Sequence, residues 1–188
     1  MTSKPEVGAG RSKKIDQFLK EKLDKRYYNF WISFTNEYPL PFHRASSSTR
    51  KYHRDSAGKV HSIGDHTYEM LFAADKIISL FGDTRQEQSY DLIMLAIALH
   101  DLHKYGRGND RQHTTSEHDH ITAVHIRNHG QKYGLNADEV EFIAYLVQFH
   151  SGRWSYDNPS KQPIMFSKEL LFVHMLDMLS SRRVLKIE

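Results

Sequence analysis

The sequence contains no cysteine, which rules out disulfide cross-links and every thiolate metal site. Any metal this chain holds must sit on nitrogen and oxygen. Proline is scarce, with five in 188 residues, so long stretches are free to be helical. No apolar run approaches the ~20 residues a membrane span needs, and no basic, apolar and small-residue pattern marks a signal peptide. No stretch alternates for long in the manner of a half-buried strand, and there is no internal repeat. These absences lead to the expectation of an all-α protein in the cytoplasm, with no membrane partner. A hydrophobic share of 39% and an aromatic share of 12% are enough for a real core in one domain of this length.

Charge is unevenly spread. Residues 1–54 carry 12 Lys and Arg against 5 Asp and Glu, and the remainder carries 14 against 18, within a net charge of +3. Such a front segment suits either a solvated helix face or an attraction for polyanions. Residues 1–13, with Gly8, Gly10 and Pro5 among basic residues, read as a disordered tail, leaving 14–188 as one helical domain.

The apolar spacing Ile15, Phe18, Leu19, Leu23, Tyr27, Phe30, Trp31, Phe34 reads as one helical stripe, ended by Tyr38-Pro39-Leu40-Pro41. Residues 42–64 read as a loop. Arg44, Ser46 to Ser48, Arg50, Lys51 and His53 suit phosphate contact and equally suit a plain connection. Asp65 is placed to cap the next helix, with Met70, Ala74, Ile77, Ile78 and Phe81 on its apolar face and His66 beside Met70. Asp83 and Gln86 form the pattern of a capping box for a very apolar helix running to about Leu102. A histidine-rich helix is expected from about Thr115 to Tyr133, ended by Gly134. Asn136 and Glu139 form another capping box, before the stripe Val140, Ile143, Ala144, Val147. A loop holding Gly152, Pro159 and Pro163 leads to a last helix packing Leu170, Leu171, Met175 and Met178. The whole reads as a bundle of about six or seven helices.

Thirteen histidines are many for this length, and imidazole is the commonest protein ligand for metals. Four of the apolar helices carry a His or Asp at a core-facing or end position: His66, His100 with Asp101, His150, and Asp177. Asp177 lies within Val173-His174-Met175-Leu176-Asp177-Met178-Leu179, where a carboxylate is costly to bury unless paired or metal-bound.

The ordered pattern of His, His-Asp and a distant Asp resembles the HD-domain superfamily of metal-dependent phosphohydrolases. Gly64-Asp65-His66-Thr67 is similar to the first-histidine helix, and His100-Asp101-Leu102-His103-Lys104 to the His-Asp-x-x-Lys form of the motif. Phe149-His150-Ser151-Gly152-Arg153-Trp154 resembles the later His-x-Gly segment, and His174-Met175-Leu176-Asp177 the terminal aspartate helix. The resemblance spans about residues 45–185. It is nearest to small single-domain members, many of them phage-encoded, and to the HD module of 3′-to-5′ exoribonucleases. The separate nucleic-acid-binding domain of those exoribonucleases has no counterpart here, which turns the expectation away from long RNA.

The resemblance implies a helical bundle holding one or two divalent metals: manganese, iron, cobalt, nickel or zinc, with magnesium less readily accommodated. It implies His66, His100, Asp101 and Asp177 as ligands, with His150 and either His118 or His120 serving a second ion. A histidine four residues before Thr122-Ala123 fits the family's spacing, which favours His118. His61 is the runner-up to His66, and His103 suits a supporting role behind the ligands. The implied reaction is attack by a metal-activated water on a phosphoester or phosphoanhydride of a nucleotide or short oligonucleotide. Asp101 and Lys104 would be catalytic, and Lys51, Lys104, Arg153 and Trp154 would bind substrate. Two other readings are a di-iron oxygenase on the same ligand set and a nucleic-acid- or nucleotide-binding module without turnover. In host or phage setting alike, the expected compartment is cytoplasm.

Overall fold

In the computed structural model, residues 12–46, 60–78, 88–152 and 166–181 are described. Seven α-helices lie among them: α1 (Lys13–Lys22), α2 (Lys25–Glu37), α3 (Ile63–Ile78), α4 (Gln88–Leu99), α5 (His118–His129), α6 (Ala137–Phe149) and α7 (Lys168–Ser181). A 3₁₀ turn, Gly130–Tyr133, extends α5. The all-α expectation holds. No helix among the described residues is long and apolar enough to cross a membrane.

The core forms around α4, in which every residue from Tyr90 to Leu99 is buried. A helix apolar all round has no face for water and must be enclosed by its neighbours. α2, α3, α6 and α7 pack against it, and α5 closes over α6 in the most extensive helix pairing of the fold.

The aromatic stripe at the front does not form one helix. Leu23 is extended and Asp24 caps α2, its carboxylate accepting from the Arg26 amide at 2.8 Å. A short carboxylate that satisfies a free amide outside a helix competes with helix continuation, and here it wins. The break lets both halves turn inward: Ile15, Phe18 and Leu19 from α1, and Tyr27, Phe30, Trp31 and Phe34 from α2. The Trp31 indole N–H then donates to Asp16 across the bend at 2.8 Å. α1 also begins within the segment expected to be a tail, because Ser12 caps it and Lys13 is already helical.

Three other boundaries moved for local reasons. α3 is started by Ser62 rather than Asp65: the Asp65 amide donates to Ser62 Oγ at 3.0 Å, and the Ser62 amide donates back to the Asp65 carboxylate at 3.2 Å. α4 ends at Leu99 rather than near Leu102. Three tight turns follow it, with Leu102, Lys104 and Gly106 amides donating to the carbonyls of Leu99, Asp101 and His103. Asn109, in the left-handed region at φ 52, holds these turns open, its side chain donating to the Leu102 carbonyl at 2.8 Å and accepting from the Tyr105 amide at 3.3 Å. The histidine-rich helix starts at His118 and tightens to 3₁₀ after His129, with Gly134 at φ 101 as its stop. Asp83, Gln86 and Phe81 lie outside the described residues.

The 42–64 connection is partly structural. Arg44 donates to the carbonyls of Asn109 and Arg111 at 2.6 and 2.7 Å and lies over the Tyr105 ring at 3.4 Å. Ser46 donates to the His61 carbonyl, beside an isolated bridge between Ala45 and Ser62. Arg44 is thus engaged in holding the turns after α4, and Ser46 in tying this segment to the start of α3.

The Asn136–Glu139 capping box forms as expected, but Glu139 does more than cap. It is buried, accepts the Arg26 guanidinium at 2.9 and 2.5 Å and the Tyr27 hydroxyl at 2.8 Å, and so pins α2 to α6. Arg26 is half-exposed and can be solvated when its partner goes, whereas the Tyr27 hydroxyl is left buried without its acceptor, a loss of about 1–3 kcal/mol. Glu139→Ala, which also loses the capping box, is therefore expected to lower unfolding stability by about 2–3 kcal/mol in urea titration. Asn136→Ala, losing the cap alone, should cost about 1 kcal/mol. Equal losses for the two variants would refute the inter-helix role.

Candidate metal centre

Helix ends deliver the polar residues to one place. α4 stops at Leu99 and its first turn residues are His100 and Asp101, both buried. α6 likewise stops at Phe149 and is followed by buried His150. His66 comes from the first turns of α3, His118 from the start of α5, and Asp177 from α7. An apolar helix that ends inside the core presents its next side chains to the interior, which places polar groups where solvent cannot reach them.

Two groups of potential ligand atoms form, His66 with His100 and Asp101, and Asp101 with His118 and His150. Within each group the atoms lie inside 4.8 Å of one another, and Asp101 belongs to both. Asp177 joins the first through His66, its Oδ1 lying 3.1 Å from His66 Nε2. The His66 and His100 Nε2 atoms are 3.3 Å apart, and His118 Nε2 is 3.2 Å from Asp101 Oδ1. His120 is half-buried and belongs to neither group. His61, also half-buried, lies against Glu69 at 3.3 Å instead.

The outer nitrogens decide what the inner ones can do. His100, His118 and His150 each place Nδ1 on a backbone carbonyl, those of Ile97, Thr115 and Val147, at 2.7, 2.9 and 2.6 Å. A carbonyl only accepts, so each Nδ1 carries the proton and each Nε2 presents a lone pair inward. His66 reaches the same state by a different route. Its Nδ1 is 2.8 Å from Ser180 Oγ, whose one hydrogen goes to Glu69 at 2.8 Å, so the serine oxygen accepts from the imidazole. Four imidazoles thus turn lone pairs toward one buried carboxylate. This is the donor arrangement in which outer partners orient histidine for a metal.

The electrostatics agree. Burial pushes the His100 imidazole down to about 3, and His150 is also lowered by burial, so both are neutral at ordinary pH. Burial opposes the Asp101 charge, but the Lys104 ammonium 2.9 Å away outweighs it and holds the carboxyl well below the usual range. For Lys104, burial works against the ammonium while Asp101 and then Asp177 raise its pKa above the ordinary value. Asp101 Oδ2 is buried and makes no hydrogen bond among the described residues, an arrangement that a cation between the imidazoles would satisfy. The residues fit a divalent transition metal of borderline character.

A family model for the HD domain matches residues 63–182. The chain belongs to the HD-domain family. No curated protein and no solved structure matches it. The matched span opens on the first residue of α3 and closes one residue beyond α7, enclosing all six residues named as ligands from the sequence.

In this HD domain Asp177 is less buried than its apolar neighbours suggested, with a side chain 20% exposed. The face of α7 is also turned from expectation: Leu170, Val173, Leu176 and Ser180 are inside, whereas Leu171 and Met175 are 52% and 40% exposed. A helix that must aim Asp177 and Ser180 at the centre cannot also bury residues on its opposite side. Lys51, Arg153 and Trp154 lie outside the described residues.

Several supporting residues escaped sequence reading. Ser180 follows Asp177 by three positions, on the same helix face, which is the one local hint of its role. His174, read as an ordinary hydrogen-bonded histidine, donates from Nδ1 to the His150 carbonyl at 2.8 Å. Its ring fills the space over Gly152, where a Cβ would lie 2.4 Å from His174 Cε1 and φ is +62. His103 pairs with His125 at 2.9 Å beside Tyr38, a second histidine cluster outside the metal groups.

Ser180→Ala removes the acceptor that fixes the His66 tautomer without touching a ligand. Loss of such an outer partner typically costs about 10–100-fold in metal affinity. Titration calorimetry with Mn²⁺ on folded Ser180→Ala protein should find a loss in that range. Unchanged affinity would mean that His66 is oriented without the serine.

Proposed function

We propose that this HD-domain protein is a metal-dependent phosphohydrolase acting on a nucleotide or a short oligonucleotide. The supporting observation is the buried Asp101 carboxylate shared by two histidine groups, with a lysine ammonium 2.9 Å from one of its oxygens. Oxygen and imidazole donors around a fixed cationic side chain suit an anionic substrate whose reaction builds further negative charge.

His66, His100, Asp101 and Asp177 would hold a divalent metal, with His118 and His150 as donors on the far side of Asp101. Bound there, such an ion supplies an acidified water and neutralises charge on a phosphoryl group. The remaining work falls to the chain. The carbonyls of Ile97, Thr115 and Val147 keep three imidazoles from rotating, so their lone pairs are set before substrate arrives. Lys104, with 16% of its side chain exposed, keeps a positive charge where a phosphoryl oxygen would approach. Asp177, open to solvent on one side, sits where the substrate and its water would enter. Arg153 and Trp154, which follow His150 and Gly152 in sequence, would bind phosphate and stack on a base, and Lys51 would add a second phosphate contact.

The test is phosphate release from a panel of nucleoside mono-, di- and triphosphates, cyclic nucleotides and dinucleotides, with Mn²⁺, for wild type and Asp101→Asn. Turnover of at least one class is expected, lost by a factor of about 10³ or more in the variant, because the one carboxylate common to both groups would hold the metal and also fixes the Lys104 ammonium. Thermal melting of both proteins separates loss of chemistry from loss of fold. A metal-loaded wild type that releases phosphate from none of them would overturn the reading. Salt-sensitive binding of nucleic acid without turnover would then favour a binding module.

A further inference from the structure

The two ligand groups that share Asp101 are not equivalent, and the difference lies in which donor atoms the chain already satisfies. In the group formed by Asp101, His118 and His150, every ligand atom has a hydrogen directed at it. Lys104 Nζ donates to Asp101 Oδ1 at 2.9 Å and to His118 Nε2 at 3.3 Å. Ser151 Oγ lies 3.3 Å from His150 Nε2, and because His150 Nδ1 carries the proton, the serine is the donor. On the other side of the same carboxylate, Asp101 Oδ2 has no hydrogen-bond donor among the described residues. One oxygen of Asp101 is therefore matched by an ammonium, and the other is left for an ion.

The ammonium is firmly held. The Lys104 amide donates to the Asp101 carbonyl at 3.0 Å, fixing the lysine within one tight turn of the carboxylate. Its own carbonyl accepts the Thr115 amide at 2.9 Å, and the Thr115 carbonyl in turn orients His118. Backbone and side chain of Lys104 thus bridge the two residues, Asp101 and His118, that a second ion would need. A unit positive charge about 3 Å from both donors repels a divalent cation and uses the lone pairs that cation would take.

We infer that Lys104 is the resident second cation of this centre: the protein binds one metal at His66, His100, Asp101 and Asp177, and the Lys104 ammonium fills the place of a second metal at Asp101 and His118. The inference rests on the metal-centre reading above and settles its stoichiometry. It also gives His118 a role that needs no second ion, as the acceptor that aims the ammonium.

Mn²⁺ stoichiometry, measured by elemental analysis after gel filtration and by titration calorimetry, tests it on wild type, Lys104→Met and Lys104→Arg. Wild type and Lys104→Arg should each bind one tight ion, because both keep the charge. Lys104→Met, which keeps length and loses charge, should bind two, with the second on the order of tenfold tighter than any second site in wild type. Melting curves establish that each variant is folded, and the arginine variant keeps the comparison informative if the methionine variant is unstable. Two equally tight ions in wild type, or a single ion in folded Lys104→Met, would overturn the inference while leaving the metal centre standing. No bound ion in any of the three would overturn the metal-centre reading itself.

Discussion

A carboxylate that is only 1% exposed, as Asp101 is, keeps its charge inside a protein only when positive or hydrogen-bearing groups surround it. Here the positive group is the Lys104 ammonium, with the His100 and His118 rings packed around the same carboxylate, and the geometry of the domain follows from bringing them together. Asp101 and Lys104 lie in the turns after α4, His100 at its very end, and His118 at the start of α5. The helix must stop at Leu99 for these side chains to diverge around one carboxylate. Asn109 and Arg44 are the residues that hold it stopped.

Burial around this centre is selective. α4 is enclosed on every side, which fixes the floor of the site in a rigid core, while α7 contributes a partly open Asp177. A site with a dry floor and one wet edge keeps its ligands preorganised and still admits a charged substrate. The outer contacts follow the same logic. Three imidazoles lean on carbonyls of the preceding turn, a local arrangement that every helix end can supply. His66 sits one turn into α3, where the carbonyls behind it are taken up by the helix, and takes a serine from α7 instead.

The HD-domain assignment and the two-sided ligand set bear on each other through Asp101. Oδ1 meets the Lys104 ammonium and the His118 ring, whereas Oδ2 has no hydrogen-bond donor among the described residues, so the two sides of the carboxylate are not alike. On the proposed reading, a lysine in that position would give an oxyanion a cationic contact without a second ion having to be recruited.

The sequence by itself determined the all-α class and the family, and it picked out the His and Asp residues that the fold gathers, because apolar helices interrupted by His and Asp leave a pattern that survives without coordinates. It also determined the Asn136–Glu139 cap, a contact between near neighbours in the chain. Only the structure decided the break at Leu23–Asp24, since a stripe with helical spacing continues across it and the Asp24 cap that interrupts it lets both halves pack inward. The same holds for the face of α7: Leu171 and Met175 are as apolar as Leu170 and Leu176, and the direction of Asp177 and Ser180 chose between them. The Ser180–Glu69 support for His66 and the hold of Lys104 on His118 were likewise out of reach. Each joins residues from different elements, 111 apart for Ser180 and Glu69, and no local periodicity encodes a distance across the fold.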